Sequence, residues 1–356
     1  MRSIAVGLLV SSVFGLSACG SATDGNTPVQ PTADAGPVVP TRLREAQAQL
    51  DAFQCPAGAA DLVEGVNTGF KAGGKDRGFH LALPKNAGTK PVGIVFAWHG
   101  VGDNITNFRG YFGPDPDARA DFPVAVVTPM CVGCQPTGNA AGLLPTSTPK
   151  GITWDIFQSA PGDGNLEAAL FEGVIGCLKS KLTIDVSHVH SMGFSGGAIV
   201  SGMLHTRYPK LVHTVVQLSG AWFNNGDTTT AVDQNLQAAA PTAQQFGFDL
   251  SGITLKWNDF VAQTDGAVLA SHGGARDQYA VAGFQVIDFE KSFGFAKPFL
   301  GANQRSVVDC PHTSGHTPPR YIQEAQIMDF LEQNPLGAEA KAVVMPTSLG
   351  TNCTAN

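Results

Sequence analysis

Residues 188–201 read HVHSMGFSGGAIVS. An apolar run enters a Gly-Phe-Ser-Gly-Gly turn at 193–197 and leaves it through Ala198, Ile199 and Val200. Ser195 is either a nucleophile or a serine in a glycine-rich turn. G-x-S-x-G alone arises by chance, so the surrounding chain must decide. As a nucleophile, Ser195 would sit on a sharp strand-to-helix turn, flanked by small residues because the two backbones pass close together. The turn would lift its hydroxyl above a sheet and aim Gly196 N–H at a developing oxyanion.

The context fits that reading. Short apolar runs occur at FHLAL (79–83), VGIVFAW (92–98), VAVVTPM (124–130), HVHSMGF (188–194), LVHTVVQL (211–218), AVLAS (267–271) and SVVDC (306–310). Most do not alternate, as expected of strands covered on both faces. Helical spacing appears at Leu43, Ala46, Leu50 and Phe53, within 166–182, and within 198–209. Strands alternating with helices predict a mostly parallel α/β sheet flanked by helices.

A serine is a weak nucleophile at neutral pH and needs a base oriented by a carboxylate. On such a sheet the chain order is Ser, acid, His. His205 falls in the helix after the turn and His213 in a strand, so both read as structural. CPHTSGHTPP (310–319) follows the last apolar run and offers His312 and His316. His316 is favoured as the base because Ser-Gly before it and Thr-Pro-Pro after it constrain the loop, and His312 competes with it. Asp277, in SHGGARDQYAV (271–281), is the first carboxylate after AVLAS and the expected acid. Asp265 precedes that strand, at its wrong end, and Asp288 is expected inside a helix at IDFEKSF (287–293). A second oxyanion donor is expected from FAWHGVGDN (96–104), with Val101 N–H in that role and His99 shaping the loop.

These segments together resemble the esterase/polyhydroxybutyrate depolymerase family of α/β-hydrolases, which also holds feruloyl and acetylxylan esterases. The matching stretches are WHGVGDN, TWDIF (153–157), IDVSHVHSMGFSGGA, RYPKLVHTVVQLSG (207–220), HGGARD and SGHTPP, in order over 79–335. The oxyanion loop carries Val-Gly-Asp and the turn reads S-G-G-A, departures that leave the mechanism intact and the substrate open. The resemblance implies an α/β-hydrolase fold and an ester substrate, either a polyester oligomer or a plant cell-wall ester. It also implies a Ser195–His316–Asp277 triad with no metal or organic cofactor. Residues 221–265 form a long insertion where caps occur in this fold. Trp222 is expected at the substrate. Phe246, Phe248, Trp257 and Phe260 read as cap packing, and Trp98 and Trp154 as core or rim.

At the N-terminus, Arg2 precedes an apolar run too short for a membrane span, as in an export signal. It ends at LSACG (16–20), which resembles a bacterial lipobox. That resemblance implies cleavage after 1–18, lipidation at Cys19 and, with Gly20 next, anchorage at the outer membrane. Residues 19–41 are rich in Pro, Thr, Ala and Gly and read as a tether. One hydrolase domain is expected over 42–356. Six further cysteines, an even number in an exported chain, predict up to three disulfides. Cys131-Val-Gly-Cys134 reads as structural. A net charge of −7 without a basic run points away from nucleic acid. Two rival readings remain: a peptidase on the same fold, and a non-catalytic surface lipoprotein.

Overall fold

The computed structural model describes residues 39–59, 61–119, 121–132, 134, 154–156, 164–245, 250, 253–262, 264–281, 283–337 and 339–355. The expected signal segment, Cys19 and most of the expected tether lie outside them. Val39–Asn356 packs as one compact unit.

The first elements are helix α1 (Thr41–Ala52), an antiparallel pair β1 (Gly65–Ala72) and β2 (Lys75–Ala82), and β3 (Val92–Trp98). Then follow α2 (Ile105–Phe112), β4 (Val124–Pro129), α3 (Leu166–Leu178), β5 (Ile184–Phe194), α4 (Gly196–Arg207) and β6 (Thr214–Leu218). Helix α5 (Gly226–Gln245) occupies the insertion, ahead of β7 (Gly266–His272), β8 (Gln278–Val281) and β9 (Phe284–Asp288). The chain closes with α6 (Phe289–Ala302), β10 (Arg305–Pro311), α7 (Glu324–Gln333) and β11 (Thr354–Ala355).

Nine strands form one sheet in the order β1-β2-β4-β3-β5-β6-β7-β10-β11. The six from β4 to β10 run parallel, and antiparallel strands close both edges. Every residue of β3, β4 and β6 is buried, which accounts for their lack of alternation in the sequence. Period two survives in where side chains go. Ile94, Phe96 and Trp98 join the core that includes α1, α3 and α4. Val95 and Ala97 join the one beneath α2 and α7.

Three disulfides are present: Cys55–Cys177, Cys131–Cys134 and Cys310–Cys353. The first pins the segment after α1 to the end of α3, and the last pins β10 to the C-terminal strand. At the far end of the sheet from Ser195, Asp265 pairs with Arg42. His213 lies beside that carboxylate at 3.8 Å, yet burial holds its pKa down at about 4. His205 is fully buried, with Nδ1–H donating to Val212 O at 2.7 Å and Nε2 accepting from Arg305.

The reading of Asp288 as a mid-helix residue is corrected. It ends β9 and caps α6, its carboxylate accepting Lys291 N–H at 2.9 Å. A short acidic side chain can satisfy an orphan first-turn amide, which favours that position over the helix interior.

Candidate active site

Ser195 stands between β5 and α4 with φ 56° and ψ −123°, a conformation L-residues rarely adopt. Its amide is held by Leu218 O at 2.8 Å. The glycines around it are required by contact. A methyl group on Gly197 would lie 2.1 Å from Trp98 O, and one on Gly193 would lie 2.3 Å from Gly197 C. The turn therefore brings β3, β5 and α4 into backbone contact, and no larger residue fits.

Ser195 Oγ lies 2.8 Å from His316 Nε2. His316 Nδ1 lies 2.6 Å from Asp277 Oδ1. Asp277 is fully buried, whereas the His316 side chain is 23% exposed, open enough to exchange protons with a substrate. The second carboxylate oxygen of Asp277 accepts Ser219 Oγ–H at 2.8 Å and Gly273 N–H at 2.7 Å. All three side chains come from loops at the carboxyl ends of parallel strands, after β5, β7 and β10. The two later loops are joined by His312 N–H to His272 O and Gly315 N–H to Gly273 O, both 2.9 Å. That continues the β7–β10 pairing beyond the sheet and fixes His316 against Asp277.

His312 takes no part in this chain. Its Nδ1 accepts Ser314 N–H at 3.3 Å, and burial lowers its pKa. No hydrogen bond joins it to Ser195 or Asp277 among the described residues. The loop thus separates the two histidines, with Gly315 in the left-handed region (φ 72°) turning His316 inward.

Gly196 opens α4, where first-turn amides have no intrahelical acceptor. A methyl group on Gly196 would stand 3.8 Å from Val101 N and 2.9 Å from the Val101 side chain. The two expected oxyanion donors therefore lie side by side. His99 is fully buried, its Nδ1–H donating to Gly100 O at 2.8 Å, and burial lowers its pKa, so it shapes the loop as a neutral ring. Trp154 Nε1–H holds the His99 carbonyl at 2.9 Å. Trp154 is anchored in turn through its neighbour: Asp155 N–H donates to Glu167, whose carboxylate pairs with buried Arg77.

The expectation for Trp222 is corrected. Its indole is 1% exposed and packs edge-on to His205 and Trp257, at 5.9 and 6.2 Å. The chain leaving β6 drives the larger ring into the core, and Phe223 faces the cavity beside Ser195 instead. Trp257 and Phe260 are likewise buried, and Phe246 and Phe248 lie outside the described residues. The insertion still covers the site, since Val232 and Leu236 of α5 and Leu255 line that cavity.

Four contributors escaped sequence reasoning: Ser219, Phe289, Phe194 and the β8–β9 hairpin. The His316 imidazole lies between two phenyl rings, Phe289 at 4.7 Å and 6° from parallel, and Phe194 at 5.0 Å and 30°. The hairpin supplies Tyr279, Val286 and Ile287 to the cavity. Burial raises the Tyr279 phenol to about 12, so it stays protonated. Only Ser219 had a local signal, the strand-end Leu-Ser-Gly that echoes Phe-Ser-Gly one strand away. Among the described residues no cluster of His, Cys, Asp or Glu could hold a metal ion, and no helix is long and apolar enough to cross a membrane.

No family model matches the chain, and no curated protein matches it. Solved structures do. Native pOPH is 18% identical, covering 85% of this chain and 96% of its own, with a TM-score of 0.62. A pOPH variant is also known in complex with pNPB. Native sOPH is 17% identical, covering 85% and 97%, with a TM-score of 0.62. An S-formylglutathione hydrolase from Agrobacterium tumefaciens is 14% identical over 71% and 87%, with a TM-score of 0.46. The shared architecture is the α/β-hydrolase fold, as the sequence led us to expect.

Proposed function

We propose that this protein is a serine hydrolase of carboxylic esters. What carries the reading is the hydrogen-bonded chain Ser195–His316–Asp277, at 2.8 and 2.6 Å. Ser195 Oγ attacks the ester carbonyl carbon while His316 Nε2 takes its proton. Asp277 fixes the Nδ1–H tautomer and stabilises the imidazolium. The amides of Gly196 and Val101 receive the negative charge on the carbonyl oxygen. Collapse of the intermediate breaks the bond to the leaving oxygen, which takes the proton from His316. Water, deprotonated by His316, then attacks the acyl-enzyme and releases the acid and Ser195. The chemistry calls for no cofactor.

The finer reading concerns substrate and place. Natural candidates are short hydroxyalkanoate oligomers, acetylated xylan and feruloyl esters, and the pNPB complex of a pOPH variant supports esters as the class to assay. We also propose export, with lipid attached at Cys19 and anchorage at the outer membrane. The lipobox-like LSACG supports this, as do three disulfides suited to an oxidising compartment.

A panel of p-nitrophenyl esters set against peptide p-nitroanilides tests the activity. Ester hydrolysis that disappears in Ser195→Ala is expected. Faster turnover of the anilides would replace the esterase reading with a peptidase.

A further inference from the structure

His316 does two jobs with one atom. Its Nε2 takes the proton from Ser195 Oγ and later delivers it to the leaving oxygen, so the ring must swing between two positions without losing Asp277. Both hydrogen bonds lie along the ring plane and do little to oppose a tilt out of it. Two phenyl rings oppose that tilt: Phe289 at 4.7 Å and 6° from parallel, and Phe194 at 5.0 Å and 30°. Among the described residues no ring contact joins the two phenyls to each other, as expected for opposite faces of the imidazole. Each phenyl is also tied to another part of the site. Phe289 is 1% exposed, follows the cap of α6, and donates its N–H to Asp277 O at 2.9 Å. It therefore joins the backbone of the acid to one face of the base. Phe194 directly precedes Ser195, and a methyl group on Gly100 would stand 3.0 Å from its Cδ1. Its ring fills the space between the oxyanion loop and the other face.

We propose that Phe194 and Phe289 are positioning residues, an aromatic clamp that confines the His316 imidazole to the plane in which it meets Ser195 Oγ and Asp277 Oδ1. The inference rests on the reading of Ser195 and His316 as nucleophile and base, and deepens it. Stacked rings hold each other beyond what apolar burial alone supplies. An aliphatic side chain of similar bulk would keep the packing and lose the constraint on the plane. A base displaced from its reactive position slows proton transfer even when the substrate still binds. Loss of the clamp should therefore appear in turnover, not in substrate binding, and should be equal for every ester. Phe289 also borders the cavity beside Ser195, so dependence on acyl length separates a clamp from a cavity wall.

The test compares Phe194→Leu, Phe194→Tyr and Phe289→Leu with wild type on p-nitrophenyl acetate, butyrate and hexanoate, and in the rate of fluorophosphonate labelling at Ser195. Each Leu variant should lower kcat about fivefold to tenfold, by the same factor on all three esters, and slow labelling to a similar degree. KM should stay within about threefold of wild type. Phe194 is only partly buried, so tyrosine fits there with its hydroxyl outward, and Phe194→Tyr should keep kcat within about twofold. Phe289→Leu suffices if the variants at 194 do not fold, and the pair at 194 suffices in the converse case. Three results overturn the clamp and leave the esterase reading standing: Leu variants with kcat within about twofold of wild type, a loss at 194 that tyrosine shares, or a loss that changes with acyl length. Wild-type protein that is labelled at Ser195 but hydrolyses no ester, with labelling slowed in the Leu variants, overturns the ester substrate and supports the clamp. Wild-type protein that takes up no label and hydrolyses no ester overturns both.

Discussion

Ser219 Oγ donates to Asp277 Oδ2 at 2.8 Å, on the side of the carboxylate turned away from His316. Ser219 directly follows β6 just as Ser195 directly follows β5, and both have φ 56°. Two neighbouring strands thus finish in strained serines: one presents its hydroxyl to the imidazole, and the other holds the acid. A hydrogen bond to a charged group contributes about 1.5–3 kcal/mol. Ser219→Ala should therefore lower kcat roughly tenfold to a hundredfold while leaving KM nearly unchanged, because Ser219 meets Asp277 and not the substrate cavity. Steady-state kinetics on a p-nitrophenyl ester checks this, and an unchanged kcat would remove Ser219 from the account.

The two loop histidines should separate cleanly. His316→Ala is expected to lose turnover nearly as completely as Ser195→Ala, about 10⁶-fold, with little further loss in the double variant. His312→Ala should keep turnover within about tenfold, since no bond ties it to Ser195 or Asp277. An inactive His312→Ala beside an active His316→Ala would reverse the assignment.

What the sequence made legible was what local pattern encodes. The buried strands announced themselves as Val- and Ile-rich runs, and the turn at Ser195 as small residues demanded by backbone contact. Asp277 and His316 followed from loop order. Contacts set by tertiary packing were not legible. The stacking of Phe289 on His316 joins residues 27 apart through α6 and a loop. Hairpin β8–β9 is short, its strands four and five residues long, and Phe284 and Gln285 at its second strand are exposed. Trp222 was misplaced because sequence locates a residue at a strand end but does not say which of two adjacent aromatics turns inward.

Acid should destabilise the fold. Burial holds His190 and His205 well below the usual histidine value, and His213 at about 4. These rings are neutral when folded and bind protons more readily once unfolded. Stability is then fully present above about pH 6.5 and is lost as pH falls toward 4. Thermal melts between pH 7.5 and 4 should show Tm dropping through that window, with net proton uptake on unfolding. A Tm unchanged from pH 7 to 4.5 would contradict this.

The bridge Cys310–Cys353 closes a span of 43 residues and begins two residues before His312. Cross-linking a loop of this length contributes about 4 kcal/mol through the unfolded chain. Cys353→Ser should lower the denaturation midpoint correspondingly, measured without reductant at neutral pH. Wild-type protein unaffected by reductant in the same assay would argue against the bridge.

Chemical labelling tests Ser195 as a nucleophile activated by His316 most directly. A fluorophosphonate reacts preferentially with such a serine, and intact-mass and peptide mass spectrometry locate the adduct. One stoichiometric adduct is expected on Ser195, absent from Ser195→Ala and nearly absent from His316→Ala. A folded wild-type protein that takes up no label, or takes it elsewhere, would contradict the claim.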